Sequence, residues 1–510
     1  MGFKEDGDFA RFVAMGAVGA ATAADVLRDR YGHQPIEFER YAMANKVWQS
    51  KVKRLRLPDL LCVRCGLRVE ARAKSKLGIV LSHSDTPGRR WDDGGMRDSD
   101  LYAFMRADSS GFPPVAAEPD WFTTAALRSS VANARRSQPK AASEGSEVTL
   151  RWPCWVPSYG GTFEGVDDQD RIVVTDDTGR RRNYWHWRNW TGPRYRYLQP
   201  GDTFEPDERI VAGIVEPPAS LACPGETWNV LEAIRSPDPV ERLGAVRALS
   251  VADRADMAAL LFRVADDPHE DWRIQLEARA ALARSDPDRW VPAITSTVDA
   301  ATERERSMEA VLALAEVSAP AATHALSDIA AQLDLHEDVR AAAAWGVGQG
   351  AAADPVRLLP AALDPEPIVA FHAVAAIDTV TADMEATLLE WLDSGNQRKA
   401  STAANVLART GSVDALLDAY EQLEQARPWA LYALGLMGAS AVRTRAAGRL
   451  TTALRIALEP MWLRELDWLN GEDDDPLAAL DLQKIRFDPL HPTTLDARGV
   501  GAHGPRPIGP

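Results

Sequence analysis

Four charged side chains between residues 59 and 74 have the types and spacing needed for chemistry on phosphate esters: Asp59, Glu70, Arg72 and Lys74. Side chains alternate along a β-strand, so the last three of these would share one strand face. Two carboxylates can hold Mg²⁺ or Mn²⁺, which orients a water molecule for attack on phosphorus, and neighbouring cations stabilise the developing negative charge. The pattern therefore predicts these four residues as a catalytic group, with Asp59 and Glu70 as metal ligands.

These residues need a β-hairpin to bring them together. A turn at Val63-Arg64-Cys65-Gly66 separates two strand-like runs. A register that is symmetric about this turn pairs Leu60 with Val69. It would then set the Asp59 and Glu70 carboxylates opposite one another, with Cβ atoms roughly 5 Å apart.

A helix is predicted over residues 37–56, before the hairpin, and Pro58 would end it. With Glu39 on that helix, then Pro58-Asp59 and Glu70-Ala71-Arg72, the segment resembles the restriction-endonuclease-like superfamily with its PD-(D/E)XK motif. The resemblance implies Asp59 and Glu70 as metal ligands and adds Glu39 to the metal site. Arg72 stands where the family has lysine, and arginine cannot accept a proton at neutral pH.

Cys62-Val63-Arg64-Cys65-Gly66 has the form of a zinc knuckle, in which glycine permits a left-handed turn beneath the metal. The knuckle supplies two ligands for Zn²⁺, Cys62 and Cys65. Cys154, Cys223 or His83 are candidates to complete the site. Because neither remaining cysteine belongs to a second C-x-x-C, two ordinary buried thiols are the favoured alternative.

The stretch from Ile36 to Lys76 is strongly basic within an acidic chain. It contains eleven basic and four acidic residues, a local charge of +7, whereas the whole chain carries −16. Such a module is expected where a protein meets a polyanion, DNA or RNA. A solvated helix face is the equally simple alternative. The residues expected to contact nucleic acid are Lys53, Arg54, Arg56, Arg68, Arg89 and Arg90.

Residues 227–449 repeat one pattern, an acidic or Asp-Pro turn followed by a helix of small residues that ends in an apolar anchor. The anchors recur every 27 to 34 residues, at Leu249, Leu282, Leu314, Gly348, Ile377, Leu407 and Leu434. That period accommodates a helical hairpin. In the form D-P-x-V-x-R-x-x-A-x-x-A-L, the units resemble HEAT repeats of the short type found in phycobilisome lyases, which implies an α-solenoid with a protein partner on its concave face.

The rest of the chain is predicted to form separate segments. Short alternating strands indicate a small antiparallel β-domain like a barrel, and its Trp- and Tyr-rich run at 184–190 is interpreted as core rather than as a base-stacking surface. The predicted boundaries are 1–35 for an N-terminal helix, 36–110 for the basic α/β module, 111–146 for a linker, 147–222 for the β-domain, 227–470 for the HEAT array with its cap, and 471–510 for an acidic, then Gly/Pro-rich tail.

The ends of the chain and its cysteine content indicate a compartment. The apolar run at 12–24 is too short to cross a bilayer, and acidic residues precede it, so neither a membrane anchor nor a signal peptide is expected. Four cysteines in 510 residues are too few for a disulfide framework. We expect a cytoplasmic protein without membrane contact.

The sequence thus predicts a multidomain protein with an α/β N-terminal module, a small all-β middle domain and a C-terminal all-α HEAT-repeat solenoid. Its expected function is that of an interaction scaffold with a nucleic-acid-contacting, nuclease-like module that depends on Mg²⁺ or Mn²⁺. A non-enzymatic scaffold with a zinc-stabilised hairpin is the alternative. A chromophore lyase or a subunit of a modifying enzyme is a third, which the large unrelated N-terminal half disfavours.

Overall fold

The structure is a computed structural model of the 510-residue chain. It describes residues 6–38, 57–84, 90–91, 95–108, 110, 114–141, 146–251, 255–299, 303–349, 354–446 and 448–469. These residues separate into two compact units, which divide between Ile274 and Gln275. The first is an α/β region and the second is entirely helical.

The first unit contains both helices and strands. Its elements are α1 (Asp6–Tyr31), β1 (Pro35–Glu37), β2 (Leu60–Cys62), β3 (Arg68–Lys74), β4 (Val80–Ser84), β5 (Leu101–Asp108), β6 (Val115–Ala116), β7 (Asp120–Thr123), α2 (Thr124–Ser129), β8 (Arg135–Arg136), β9 (Lys140–Ala141), β10 (Ser146–Arg151), β11 (Cys154–Trp155), β12 (Gly161–Val166), β13 (Ile172–Asp176), β14 (Arg181–Tyr184), β15 (Tyr195–Arg196), β16 (Thr203–Phe204), β17 (Ala212–Gly213), α3 (Val230–Ala233), α4 (Pro239–Val251) and α5 (Ala255–Asp266).

A six-stranded sheet holds the predicted hairpin. Its order is β1-β2-β3-β5-β6, with β7 paired to β5. The hairpin register is the predicted one, because Leu60 pairs with Val69 in antiparallel β2 and β3. On its other side β3 runs parallel to β5. Helix α1 covers this sheet, and buried side chains such as Val18 and Leu27 pack against Val69, so the strand that carries Glu70 is fixed on both edges and on one face.

The remaining strands of the unit form three antiparallel sheets. Their orders are β4-β10-β8 with β9 on β10, β11-β17-β15, and β14-β13-β12-β16. The last two sheets share a core that includes Trp155, Phe163 and Trp187. The antiparallel pairing predicted for 147–222 is confirmed, but β10 pairs with β4, which lies outside that range. The β-region therefore begins earlier in the chain than the sequence predicts.

Two sequence-based assignments in this unit are wrong. The predicted linker 111–146 contains β6, β7, α2, β8 and β9, and Trp121, Phe122 and Leu127 of this stretch are buried. Strands this short contain too few residues to show a periodic apolar pattern, so the many charged and small residues of this stretch indicated a linker instead. The helix predicted over 37–56 does not begin at Glu37, which ends β1. Residues 39–56 lie outside the described residues.

The second unit and its boundary are helical. Its helices are α6 (Trp272–Ala283), which spans the boundary, α7 (Pro287–Thr295), α8 (Arg304–Ala315), α9 (Pro320–Ala330), α10 (Glu337–Val347), α11 (Leu359–Ala362), α12 (Pro367–Ala376), α13 (Ala382–Leu392), α14 (Gln397–Thr410), α15 (Val413–Gln422), α16 (Arg427–Leu436), α17 (Ala439–Ala446) and α18 (Thr452–Leu469). Helix α10 contacts α8, α9 and α12, and α14 contacts α12, α13 and α16. Among the helices that the structure describes, none combines the length and the apolar character needed to span a bilayer.

One buried ion pair links α10 to the turn that precedes α12 in the second unit. The guanidinium of Arg340, at the start of α10, makes two hydrogen bonds of 2.9 and 3.1 Å to the carboxylate of Asp364, which precedes α12. The side chains are 5% and 1% exposed. Arg340 is one of the arginines that the sequence pattern places early in a helix, and here it binds the acidic residue before a later helix.

A second buried ion pair anchors α4 to the hairpin of the first unit. The Arg68 guanidinium is 2% exposed and lies 2.5 Å from the carboxylate of Glu241, which also contacts Arg97. Because Glu241 fixes α4 against β3, the first unit extends beyond residue 227, where the helical array was predicted to start.

We expect Glu241→Gln to destabilise the first unit by about 3 kcal/mol, because the buried Arg68 charge would lose its counter-ion. Urea unfolding followed by tryptophan fluorescence measures the change. Asp25→Asn, in the exposed pair Asp25–Arg28, is the control and should change the free energy of unfolding by less than about 1 kcal/mol. Equal effects of the two substitutions would contradict the assignment.

Candidate metal centre and charged strand face

Three cysteines and one histidine converge in the first unit. The ligand atoms of His33, Cys62, Cys65 and Cys223 all lie within 4.8 Å of one another. Tetrahedral thiolate sites with metal–sulfur bonds near 2.3 Å have ligand atoms about 3.8 Å apart, so a small inward movement suffices to bind a metal ion. The cluster therefore has the donor number, donor type and spacing of a metal site.

The end of helix α1 sets the position of His33. Gly32 ends the helix with a positive φ of 70°, and the N–H groups of Gly32 and His33 bond to the carbonyls of Arg28 and Leu27. The His33 Nε2 lies 2.9 Å from the carbonyl oxygen of Leu221, which can only accept, so Nε2 carries the proton. Nδ1 faces the cluster and lies 3.5 Å from Cys65 Sγ. A backbone partner on the outer nitrogen is how proteins orient a histidine ligand.

The hairpin turn fixes the positions of the two knuckle cysteines, Cys62 and Cys65. The Cys62 N–H bonds to the carbonyl of Leu67, and the Gly66 N–H bonds to the carbonyl of Cys62, both at 2.8 Å. Gly66 has φ of 70°, and a Cβ there would lie 2.7 Å from the Trp228 ring. Glycine is thus required at this position both by the turn and by the packing beneath it, as the knuckle pattern predicts.

Cys223 arrives from a distant part of the chain, after β17. Its N–H bonds to the carbonyl of Tyr31 at 2.8 Å. Arg64 holds the same segment, because its guanidinium bonds to Glu226 at 2.7 Å and to the carbonyl of Gly32 at 3.0 Å. These hydrogen bonds therefore hold three segments together around the cluster: the C-terminal end of α1, the hairpin turn and residues 223–226.

The protonation of the cluster favours metal binding. The Cys65 thiol donates a hydrogen bond that, together with His33, lowers the pKa of Cys62 to about 3, and the same bond raises the pKa of Cys65. Burial opposes a charge on His33, but its bonds to Cys62 and to Leu221 outweigh burial and raise its pKa. A thiolate beside protonated partners is an arrangement in which a cation can replace the protons.

The sequence identified Cys62 and Cys65 and named Cys223 as one candidate to join them. His33 was missed, since its only local signal is the helix-ending Gly32 before it. Of the other two candidates, Cys154 lies against a different core, with Trp152 and Ile214, and His83 lies on β4. Neither belongs to the cluster. The structure instead places His33 with Cys62, Cys65 and Cys223 in one cluster that could hold a metal ion.

The predicted catalytic residues lie on β3 and at the start of β2. Ladder pairing stops at Leu60, and the Asp59 carboxylate instead accepts the Ala71 N–H at 2.7 Å. Glu70 Oε1 lies 2.6 Å from Arg72 Nη2, with side chains 17% and 39% exposed. Glu70 first and Asp59 second raise the pKa of Arg72. The structure thus pairs Glu70 with Arg72 on a partly exposed strand face, whereas the Asp59 carboxylate is bound to the strand backbone and acts on Arg72 through its charge.

Lys74 continues this face but turns toward β4. Its Nζ donates to the carbonyl oxygen of Val80 at 2.9 Å. Burial, assisted by the positive charges of Arg72, Arg151 and Lys140, lowers the pKa of Lys74 from 10.5 to about 8. A lysine in this range exchanges a proton near neutral pH, which Arg72 cannot do.

We expect Lys74→Met to stabilise the protein at pH 7 by about 1–2 kcal/mol, with the gain disappearing at higher pH. The folded state binds the Lys74 proton more weakly than the unfolded chain. The charge therefore destabilises the fold below pH 8, and this penalty disappears as pH rises through 10.5. Urea unfolding of both proteins at pH 7 and pH 10 measures the difference. Lys76→Met, at an exposed position, should show no such pH dependence.

The residues predicted to contact nucleic acid are not assembled into one surface by the described part of the chain. Arg68 is 1% exposed and held by Glu241, so it cannot reach a ligand. Alternation along β3 places the Arg68 side chain on the side where α4 packs. The strand pattern alone does not show that α4 lies there. Arg90 is exposed. Glu39, Lys53, Arg54, Arg56 and Arg89 lie outside the described residues.

Comparison with known proteins adds no identification. No family model matches the chain, and no curated protein matches it.

Proposed function

We propose that the first unit is a divalent-metal-dependent phosphodiesterase that acts on nucleic acid, and that a zinc ion at the His33/Cys62/Cys65/Cys223 cluster stabilises its fold. One observation carries the enzymatic proposal: Glu70 pairs with Arg72 on a partly exposed strand face, and the Asp59 carboxylate, bound to the neighbouring Ala71 N–H, also acts on Arg72 through its charge. Two acids and a cation are the residue types of the restriction-endonuclease-like pattern, with arginine in place of its lysine.

The proposed reaction assigns each residue one task. Asp59 and Glu70 would hold Mg²⁺ or Mn²⁺, which supplies a bound, acidified water and charge neutralisation at phosphorus. Arg72 neutralises the carboxylate pair and can pass one of its hydrogen bonds to a phosphate oxygen, since guanidinium binds either anion. Lys74, with its pKa near 8, is suited to accept a proton from water through a short relay.

The zinc proposal follows from the donor set. Three sulfurs and one imidazole nitrogen are the ligands of structural zinc, whereas Mg²⁺ and Ca²⁺ take oxygen. The cluster lies on the same hairpin as Asp59 and Glu70, at the opposite end of β2 from Asp59. Metal at the turn would therefore fix the hairpin register on which the carboxylate pair depends.

The test is cleavage by the full chain of supercoiled plasmid and of single-stranded DNA, with Mg²⁺, with Mn²⁺, and without added divalent metal. We expect cleavage only with metal. Chelators are avoided, because they would also remove zinc. Absence of cleavage from a preparation that contains its full complement of zinc would reject the phosphodiesterase.

A second candidate function is a non-enzymatic platform in which the zinc site serves architecture alone. The completeness of the four-residue cluster favours it, because structural zinc sites are closed by four protein ligands and leave no position for substrate. This candidate expects one bound zinc per chain and no cleavage under any metal. The cleavage test thus separates the two functions.

The helical unit is proposed to be a HEAT-type solenoid that binds a protein partner. Support comes from the contacts of α12 with α10 and α14, and from the Arg340–Asp364 pair between repeats. A groove of about 780 Å³ runs along α12, α14 and α16. Phe371 and Tyr432 line it and are 44% and 38% exposed, beside Arg398. A helix with an apolar face and an acidic side chain would complement this groove.

A further inference from the structure

A cavity of about 560 Å³ lies in the first unit between β10 and the β11–β14 region. The cavity is open to solvent, so a ligand can enter it. Its lining is aromatic and basic. The residues that define its character are Arg135, Arg151, Trp155, Tyr184, His186 and Trp190.

The aromatic side of the cavity is a partly exposed stack. Trp155 and Tyr184 lie face to face, with ring centroids 4.4 Å apart and planes 8° from parallel. Trp155 is 9% exposed and belongs to the core, whereas Tyr184 and Trp190 are half-buried at the cavity. Tyr184 and Trp190 pack against the same core, and both also line the cavity. A flat ring that enters would extend this stack.

The basic side of the cavity places two positively charged side chains next to each other. Arg135 and Arg151 are direct cross-strand partners on β8 and β10, and both are exposed. Like charges in this position destabilise a sheet. In the part of the chain that the structure describes, neither guanidinium has an ion pair, and no residue lining the cavity is acidic. Two uncompensated arginines beside aromatic rings form a site for an anion attached to a flat ring.

The cavity is electrostatically continuous with the charged strand face. Val80, which lines the cavity, pairs with Arg151 and accepts the hydrogen bond of Lys74. Lys74 and Arg151 therefore place positive charge between the carboxylate-bearing strand face and the cavity. A polyanion that follows this line would reach the carboxylate pair at one end and the cavity at the other.

We infer that this cavity binds one unpaired nucleotide of a single-stranded nucleic acid, with the base against Tyr184 and a phosphate at Arg135 and Arg151. The Asn189 amide, also on the lining, has no hydrogen bond within the described residues and can bond to a base edge. A paired base could not enter, because its ring faces are covered by neighbouring base pairs. As a statement of substrate class the inference rests on the proposed phosphodiesterase, but binding is measured without cleavage.

The test is fluorescence anisotropy of labelled single-stranded DNA of mixed sequence with the full chain, in buffer without Mg²⁺ or Mn²⁺. The same sequence as a duplex, and a nucleoside monophosphate as competitor, are the comparison ligands. We expect the single strand to bind at least about tenfold more tightly than the duplex. The monophosphate should compete only weakly, because it lacks the neighbouring phosphates.

Three variants locate the binding. Arg135→Ala and Arg151→Ala should each weaken single-strand binding and lower the slope of log affinity against log salt by about one. Tyr184→Leu should weaken binding roughly tenfold and leave that slope unchanged. Arg28→Ala, on α1, is the control and should change neither quantity. Because the two arginines repel each other, replacing either one should leave the melting temperature at the wild-type value. A loss of binding in these variants then cannot be explained by a loss of folding.

The outcomes discriminate between the claims. Equal affinity for single strand and duplex, or wild-type binding by both arginine variants, would overturn the nucleotide pocket. Monophosphate binding as tight as that of the strand would also overturn it, in favour of a free-nucleotide site. Selective binding without any metal-dependent cleavage would sustain the pocket and reject the phosphodiesterase.

Discussion

Replacing Cys62 with serine is expected to abolish zinc binding and to unfold much of the first unit. The Cys62 sulfur is 2% exposed at the centre of the cluster, and serine cannot supply a thiolate. The free energy of binding structural zinc is largely folding free energy, so we expect a loss of several kcal/mol. Metal analysis by mass spectrometry should fall from about one zinc per chain to none, and thermal unfolding should shift to a much lower temperature.

Cys154→Ser is the matched control for this prediction. Cys154 is also a free, partly buried thiol of the same unit, but it lies outside the cluster. The variant should keep its zinc, and any loss of stability should be small and independent of chelator. His33→Asn should resemble Cys62→Ser in zinc content. A wild-type protein purified without metal, with a melting temperature that zinc does not raise, would contradict the zinc centre.

Asp59→Asn and Glu70→Gln are each expected to reduce metal-dependent cleavage at least about a hundredfold, since each removes one of two anionic ligands. Initial rates of strand scission at several Mn²⁺ concentrations measure the effect. Zinc content and unfolding midpoint should remain near wild type for Glu70→Gln. Asp59→Asn can lose some stability, because Asp59 also accepts the Ala71 N–H.

Two further variants sharpen the cleavage prediction. Glu118→Gln replaces an exposed carboxylate that pairs with Arg30 and Arg209, and it should leave cleavage unchanged. Arg72→Lys should raise cleavage severalfold, because lysine releases Glu70 from the tight guanidinium pair and can exchange a proton. A contaminating nuclease is revealed if Asp59→Asn and Glu118→Gln preparations cut equally well.

Local chemistry made part of this site predictable. Glycine after Cys65 indicated the left-handed turn, and the symmetric register about that turn correctly paired Leu60 with Val69. Both features depend on neighbours in sequence, where turn chemistry and strand alternation act directly. The helical texture of the C-terminal region was predictable for the same reason, since each helix repeats its own apolar pattern.

Long-range placement was not predictable. Nothing in the sequence around His33 or Cys223 resembles a ligand spacing. The pairing of β1 with β2 brings His33 to the hairpin, and the bond from the Cys223 N–H to the Tyr31 carbonyl brings Cys223 to the same place. Arg68 likewise looks like a surface cation until α4 places Glu241 beside it. The role of a side chain that depends on a distant partner can be assigned only from the tertiary structure. The alternation of residues along a strand shows on which face a side chain lies, but not which element covers that face.

The chain order of the four metal ligands has a consequence for biosynthesis. Three of them precede β3, but Cys223 follows β17, so the ribosome must complete the whole sheet region before the fourth ligand is available. A nascent chain shorter than this has an open, three-ligand site that metal holds weakly. Capture of the proposed zinc ion is therefore a late step, which becomes possible only after all the strands of this unit have been synthesised.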